Sequence, residues 1–129
     1  MDSFADFLTR IRNGYRSRQK DVRVPYSRLK YEVARVLLEE GFVSNFQVEG
    51  EGIARRVIVT LKYDDNGESV IRGIEMISRQ SRRSYVGADS IPRIFGGLGV
   101  AILTTPRGVI TDRDARRKRL GGEILCKVW

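Results

Sequence analysis

Arg56-Val57-Ile58-Val59-Thr60-Leu61-Lys62-Tyr63-Asp64-Asp65-Asn66-Gly67 is the stretch from which the fold is read. Val57, Val59 and Leu61 alternate with Arg56, Thr60 and Lys62, the period of two that marks a strand with one buried face. Asp64-Asp65-Asn66-Gly67 ends it with strong turn chemistry. Reading backwards, Glu49-Gly50-Glu51-Gly52 is a turn, and Phe42 to Val48 is a predicted strand with Phe42, Phe46 and Val48 on one face. Before it, Ser27 is a good N-cap for a helix whose stripe is Leu29, Val33, Val36 and Leu37, with Gly41 at its C′ position. Val22 and Val24 before Pro25 form a short extended segment. Phe4, Phe7, Leu8, Ile11 and Tyr15 recur at helical spacing after Ser3 and Asp6, which resemble a capping box. Arg10, Arg12, Arg16 and Arg18 fall mostly on the other side of that helix, and Gly14 is expected to loosen its end. The first 65 or so residues therefore read α-β-α-β-β.

Forward of the turn, Val70 to Ser78 reads as a strand interrupted by Gly73, and Arg79 to Arg83 as a basic loop. Ser90-Ile91-Pro92 is expected to open a short helical turn. Gly96, Gly97 and Gly99 lead to the strand Val100-Ala101-Ile102-Leu103, and Thr104 to Gly108 makes a turn. Thr111 caps a helix from Asp112 to Leu120, which Gly121 and Gly122 are expected to end before a last strand, Glu123 to Trp129. The class is α+β: an N-terminal α-β-α-β-β subdomain over residues 1–68, packed on a mainly β C-terminal subdomain with short helices over residues 69–129.

Composition narrows the function. The 129 residues suit one domain or two very small ones. No run approaches the roughly 18 apolar residues of a membrane span. The start, Met-Asp-Ser-Phe-Ala-Asp, is acidic where a signal or transit peptide would be basic. The single Cys126 excludes an intrachain disulfide framework and fits a reducing compartment, and the absence of histidine removes His-based acid–base and metal chemistry. Net charge is +8, distributed unevenly. Residues 1–70 carry 12 basic and 11 acidic side chains, whereas residues 71–129 carry 12 and 5. Nineteen of the basic residues are Arg, the planar fork that pairs with phosphate and stacks on bases. A basic, Arg-rich domain favours a nucleic-acid partner over an enzyme's substrate.

The motifs leave alternatives open. Gly97-Leu98-Gly99 lacks a third glycine and precedes a strand, so no dinucleotide loop is expected, and no other cofactor motif stands out. Asp112 and Asp114 are two residues apart and make a poor carboxylate pair. They suit the helix N-terminus and ion pairs with Arg116 to Arg119. Arg113, Arg116, Arg117, Lys118 and Arg119 crowd one short helix, either as a solvated face or as phosphate contacts. Thr104-Thr105-Pro106-Arg107-Gly108 is either a plain β-turn or a set of hydroxyls and an Arg aimed at RNA. Tyr85, beside Arg82 and Arg83, is either core or a stacking surface for an unpaired base. Trp129 is expected to cap the core. No catalytic or metal-ligating set stands out.

Five motifs, in order, resemble one family. Asp6-Phe7-Leu8-Thr9-Arg10-Ile11-Arg12-Asn13, Pro25-Tyr26-Ser27-Arg28-Leu29-Lys30, Gly97-Leu98-Gly99-Val100-Ala101-Ile102, Val109-Ile110-Thr111-Asp112 and Gly121-Gly122-Glu123-Ile124-Leu125-Cys126 are similar to those of bacterial small-subunit ribosomal protein eight. The resemblance spans the chain. It implies a cytoplasmic ribosomal protein, monomeric off the ribosome, that binds the central domain of 16S ribosomal RNA directly and helps organise the platform. It further implies contacts with small-subunit proteins five and twelve and, in some bacteria, repression of the protein's own operon messenger RNA. The family's Ser-Thr-Ser contact loop aligns with Thr104-Thr105-Pro106: Thr105 is kept, Thr104 adds a methyl, and Pro106 loses a hydroxyl and an amide donor. Thr105 is thereby expected to hydrogen-bond RNA from the tip of the turn. Glu123 and Tyr85 match family positions, and Lys127 stands where an aromatic is often found. With Arg107, Gly108, Arg82, Arg83, Arg116, Arg117 and Lys30, these form the expected RNA-binding set. A regulator of messenger RNA with no ribosomal role is the competing binding reading, and a hydrolase would need converging acids that the sequence does not offer.

Overall fold

The computed structural model describes residues 3–129. The chain divides into two compact units, the first running to Ile71 and the second from Arg72 to Trp129.

In the first unit, α1 (Ser3–Arg16) is followed by β1 (Asp21–Pro25), α2 (Arg28–Glu39), β2 (Asn45–Glu49) and β3 (Arg56–Thr60). The strands form an antiparallel sheet in the order β1-β3-β2, on which the two helices pack. Val57 and Val59 on the central strand pair with Val24 and Val22 on one side and with Val48 and Phe46 on the other. Ile58 is buried as well, on the opposite face, where Arg23 and Gln47 are its cross-strand partners. The strand foreseen from Phe42 begins only at Asn45. Phe42 N–H still bonds back to Leu37 O (2.8 Å), and Val43 is the residue that buries. Ser3 is already helical, and Asp6, its expected capping-box partner, pairs with Arg10 at 2.9 Å instead. Gly14 does not fray the helix. It sits where a Cβ would lie 2.6 Å from Val22 Cγ1, so it allows close approach of α1 to the sheet. Ser27 caps α2 as foreseen, accepting from Lys30 N–H, and Gly41 follows at φ +80°.

The second unit runs β4 (Ile74–Met76), β5 (Tyr85–Val86), β6 (Val100–Thr105), β7 (Gly108–Thr111), α3 (Asp112–Lys118) and β8 (Gly122–Val128), and its five strands build one antiparallel sheet. Its order is β4-β8-β6-β7, with β5 also paired to β8. The core on one face joins Ile91, Ile94, Ala101, Leu103 and Ile124 to Ala115 of α3. The strand foreseen over Val70–Ser78 shrinks to Ile74–Met76. Gly73 lies under the Trp129 ring, and Trp129 O accepts from Arg72 and Gly73 N–H. The helical turn foreseen at Ser90 is absent: Ile91 and Ile94 enter the core, and the 3₁₀ turn is Phe95–Gly97. Thr111 caps α3 by accepting from Asp114 N–H, but the helix stops at Lys118 rather than Leu120. Arg119 supplies the left-handed residue at φ +54°. Gly121 and Gly122 are not its caps. A Cβ on Gly122 would lie 2.2 Å from Thr104 O, so that glycine lets β8 run tight against β6.

Candidate nucleic-acid interface

The β6–β7 hairpin turns on Pro106 and Arg107 alone, with Thr105 opposite Gly108. Pro fixes φ at the second position of the turn, and Gly108 closes it at φ +106°, a conformation that favours glycine. Thr104 and Thr105 are therefore strand residues rather than the tip. The Thr105 hydroxyl faces inward to the turn, donating to Gly108 O (2.9 Å) and accepting from Arg107 N–H (3.1 Å). This corrects the expectation that it points outward from the tip. The tip itself presents the exposed Pro106 and Arg107.

Register brings three of the expected residues into one row. Thr104 lies opposite Glu123, and Glu123 lies opposite Tyr85 across the other edge of β8. Cross-strand partners share a face, and Leu103, Ile124 and Val86, their neighbours along the strands, point into the core beneath α3. Thr104, Glu123 and Tyr85 thus occupy the face opposite α3. Tyr85 is 70% exposed, so it is not core. Beside it, Arg79, Arg82, Arg83, Ser84 and Ile77 complete a cleft of about 440 Å³. Three guanidiniums and one open aromatic ring around a cleft can hold phosphates and stack a base.

Glu123 is placed differently from a surface contact. Its side chain is only 15% exposed, and Oε2 accepts from Ser78 Oγ and from Arg83 Nη1 (3.2 Å). Arg83 is correspondingly tethered, whereas Arg82 projects from the surface. Ser78 and Arg79 belong to this constellation and were absent from the expected set. Arg79 had a signal, since it opens the basic run. Ser78 had none, because its partner lies 45 residues away.

The remaining residues are elsewhere. Arg116 and Arg117 sit on α3, across the sheet from the Tyr85 row. Arg116 is largely committed to the fold, bonding Pro92 O (3.1 Å) and Asp112 (2.8 Å), while Arg117 pairs with Asp114 at 2.9 Å. Asp112 is buried and also accepts from Ala101 N–H (3.0 Å), so the two aspartates do neutralise part of the helix's charge. Arg113 and Lys118 remain exposed there. Lys30, expected to touch RNA, is 3% exposed and belongs to the first unit. Its ammonium donates to Pro25 O (2.7 Å), and burial holds its pKa below the ordinary lysine value. It is a structural lysine, because a buried ammonium bonded to backbone has no reach to a phosphate. Cys126 is fully buried and its thiol is pushed up to about 12, so it stays protonated and unreactive. Among the described residues there is no cluster of His, Cys, Asp and Glu able to hold a metal ion, and no helix long and apolar enough to cross a membrane.

Residues 2–129 match the family described as Ribosomal protein S8. The chain is 53% identical over 128 residues to the small ribosomal subunit protein uS8 of Solibacter usitatus, covering 99% of this chain and 98% of that relative. It is 53% identical over 131 residues to the protein of the same name from Acidobacterium capsulatum, covering 99% and 97%. For the Rubrobacter xylanophilus protein of that name the identity is 48% over 128 residues, covering 99% and 97%. With a full-length match of this depth on an α+β chain, the protein belongs to the ribosomal protein S8 family and is a structural constituent of the small ribosomal subunit, not an enzyme.

Proposed function

We propose that this protein binds 16S ribosomal RNA directly, in its central domain, and helps organise the platform of the small subunit. The basic C-terminal part is the RNA-binding one. The observation that carries this reading is the exposed Tyr85 ring beside a cleft walled by Arg79, Arg82 and Arg83, on the sheet face shared with Thr104. Arginines supply sequence-independent attraction to phosphates. Specificity falls to Tyr85 and the Thr104–Gly108 hairpin, reading a bulge, an internal loop or the shallow minor groove, because the A-form major groove is too narrow for side chains. Arg113 and Lys118, exposed on α3 across the sheet from that cleft, offer a separate set of phosphate contacts. Contacts with small-subunit proteins five and twelve, and repression of the protein's own operon through a similarly shaped messenger RNA, belong to the same proposal and rest on family resemblance.

Footprinting of the purified protein on naked 16S RNA tests it. A single protected helix in the central domain is expected, with log K falling linearly against log salt. Binding that appears only after other ribosomal proteins are added, or that ignores salt, defeats the reading.

A further inference from the structure

We propose that Ser78 and Glu123 form a clasp that positions Tyr85 and Arg82, so that Glu123 serves the interface from behind rather than by touching RNA. This rests on the RNA-binding reading above and assigns a role to a residue, Ser78, that no motif singles out.

The loop between β4 and β5 is tied to β8 at both ends. Ile77 and Ser78 N–H bond Leu125 O (2.9 and 3.3 Å), and Ile124 N–H bonds Ser84 O (2.9 Å). Arg79 and Arg82 close the turn by exchanging backbone bonds, each 3.0 Å. The Ser78 hydroxyl joins these parts. It donates to Glu123 Oε2 and accepts from Ser84 N–H (3.2 Å), while the same Oε2 accepts from Arg83 Nη1. One hydroxyl and one carboxylate oxygen thus fix the start of the loop, its end and one of its arginines onto the strand that carries the Tyr85 row.

Burial makes the clasp matter. Ser78 is 2% exposed, so its hydroxyl has no access to a nucleic acid, and its bonds gain strength from the low local dielectric. The bond to Glu123 is charge-assisted. Without Ser78 the Ser84 amide loses its acceptor, without Glu123 the Ser78 hydroxyl and Arg83 lose theirs, and in either case the eight-residue loop must be ordered during binding. Ordering cost at an interface lowers affinity without altering the contacts finally made. The inward commitment of the carboxylate also keeps a negative charge turned away from approaching phosphates.

The experiment compares Ser78→Ala, Glu123→Ala, the double variant, Glu123→Gln and Tyr85→Ala. Each is bound to a short fragment of the 16S central domain and to a scrambled duplex of equal length. Ser84 amide exchange is followed in the free proteins. Ser78→Ala and Glu123→Ala should each weaken fragment binding about tenfold. The double variant should be no weaker than the weaker single, because both remove one unit. Ser84 should lose protection in all three. Glu123→Gln still accepts from Ser78 and should recover most of the affinity. Duplex binding should stay level for Ser78→Ala, a separation that general destabilisation does not produce. If Ser78→Ala binds the fragment like wild type while Glu123→Ala does not, Glu123 touches RNA itself and the clasp is wrong. Additive losses overturn it equally. Should Ser78→Ala fail to fold, Glu123→Gln still decides, since loss of affinity with an intact Ser84 amide contradicts a positioning role. Wild-type binding by Tyr85→Ala overturns both the clasp and the RNA-binding surface, whereas a Tyr85 effect with a silent Ser78 overturns the clasp alone.

Discussion

Thr105 carries two hydrogen bonds inside its own turn, one given to Gly108 O and one taken from Arg107 N–H. A hydroxyl used this way shapes the hairpin before any RNA arrives, and its remaining acceptor capacity is what it can offer outward. Thr105→Val nearly keeps the volume and removes both bonds. It should lower stability by about 1 kcal/mol, a drop of a few degrees in Tm, and weaken RNA binding with no change in salt slope, because no charge is lost. Thr105→Ser keeps the hydroxyl and should behave as wild type in both. Thermal melts and a salt series on both variants check this, and an unchanged Tm for Thr105→Val would remove the hydroxyl from the turn. Lys30 shows the same lesson from the other side. Its charge marked it for phosphate, yet the capped start of α2 turns its ammonium onto Pro25 O. Sequence gives the chemistry of a side chain, and the backbone beneath it decides which way that chemistry faces.

At the scale of elements, α3 ends on a side chain unsuited to its conformation. Arg119 adopts φ +54°, where a β-carbon is unfavourable by about 1 kcal/mol relative to glycine. Its ion pair with Asp89 is 3.9 Å long and exposed on both sides, so it compensates little. Arg119→Gly should therefore raise Tm by a few degrees, and a fall would show that the arginine anchors the helix end. The glycines that looked like the cap, Gly121 and Gly122, are instead spent on close contact with Val86 O and Thr104 O. A Gly-Gly pair after a basic helix carries the same signal for both uses, since each needs the missing β-carbon. Only the position of the neighbouring strand separates them. The shortened β4 and the late start of β2 have a similar origin. Local pattern marks where a strand can run, and pairing partners set where it does.

Across the whole molecule, two buried acids give a pH signature. The Tyr15 hydroxyl donates to Phe42 O (2.6 Å), and burial pushes it from 10.0 up to about 12. Cys126 rises from 9.0 to about 12 by burial alone. Both are kept neutral by the fold, so the unfolded chain releases their protons first. Stability is full below about pH 9 and should fall from there toward pH 12, by a few kcal/mol in all. Urea unfolding at intervals between pH 8 and 11 checks the slope, and Cys126→Ala should flatten its first part. A stability that held level to pH 11 would mean the two groups are not neutral in the fold. The α-β-α-β-β order, the N-caps Ser27 and Thr111 and the helix stripes were legible from the sequence, because periodicity and capping depend on neighbours within a few residues. So was the charge imbalance, a sum over residues that needs no geometry. The row Thr104–Glu123–Tyr85, the separation of Arg116 and Arg117 from it, and the link from Ser78 to Glu123 were decided only by the tertiary structure. Each joins residues that the chain keeps far apart, and strand register, which no local pattern encodes, brings them together.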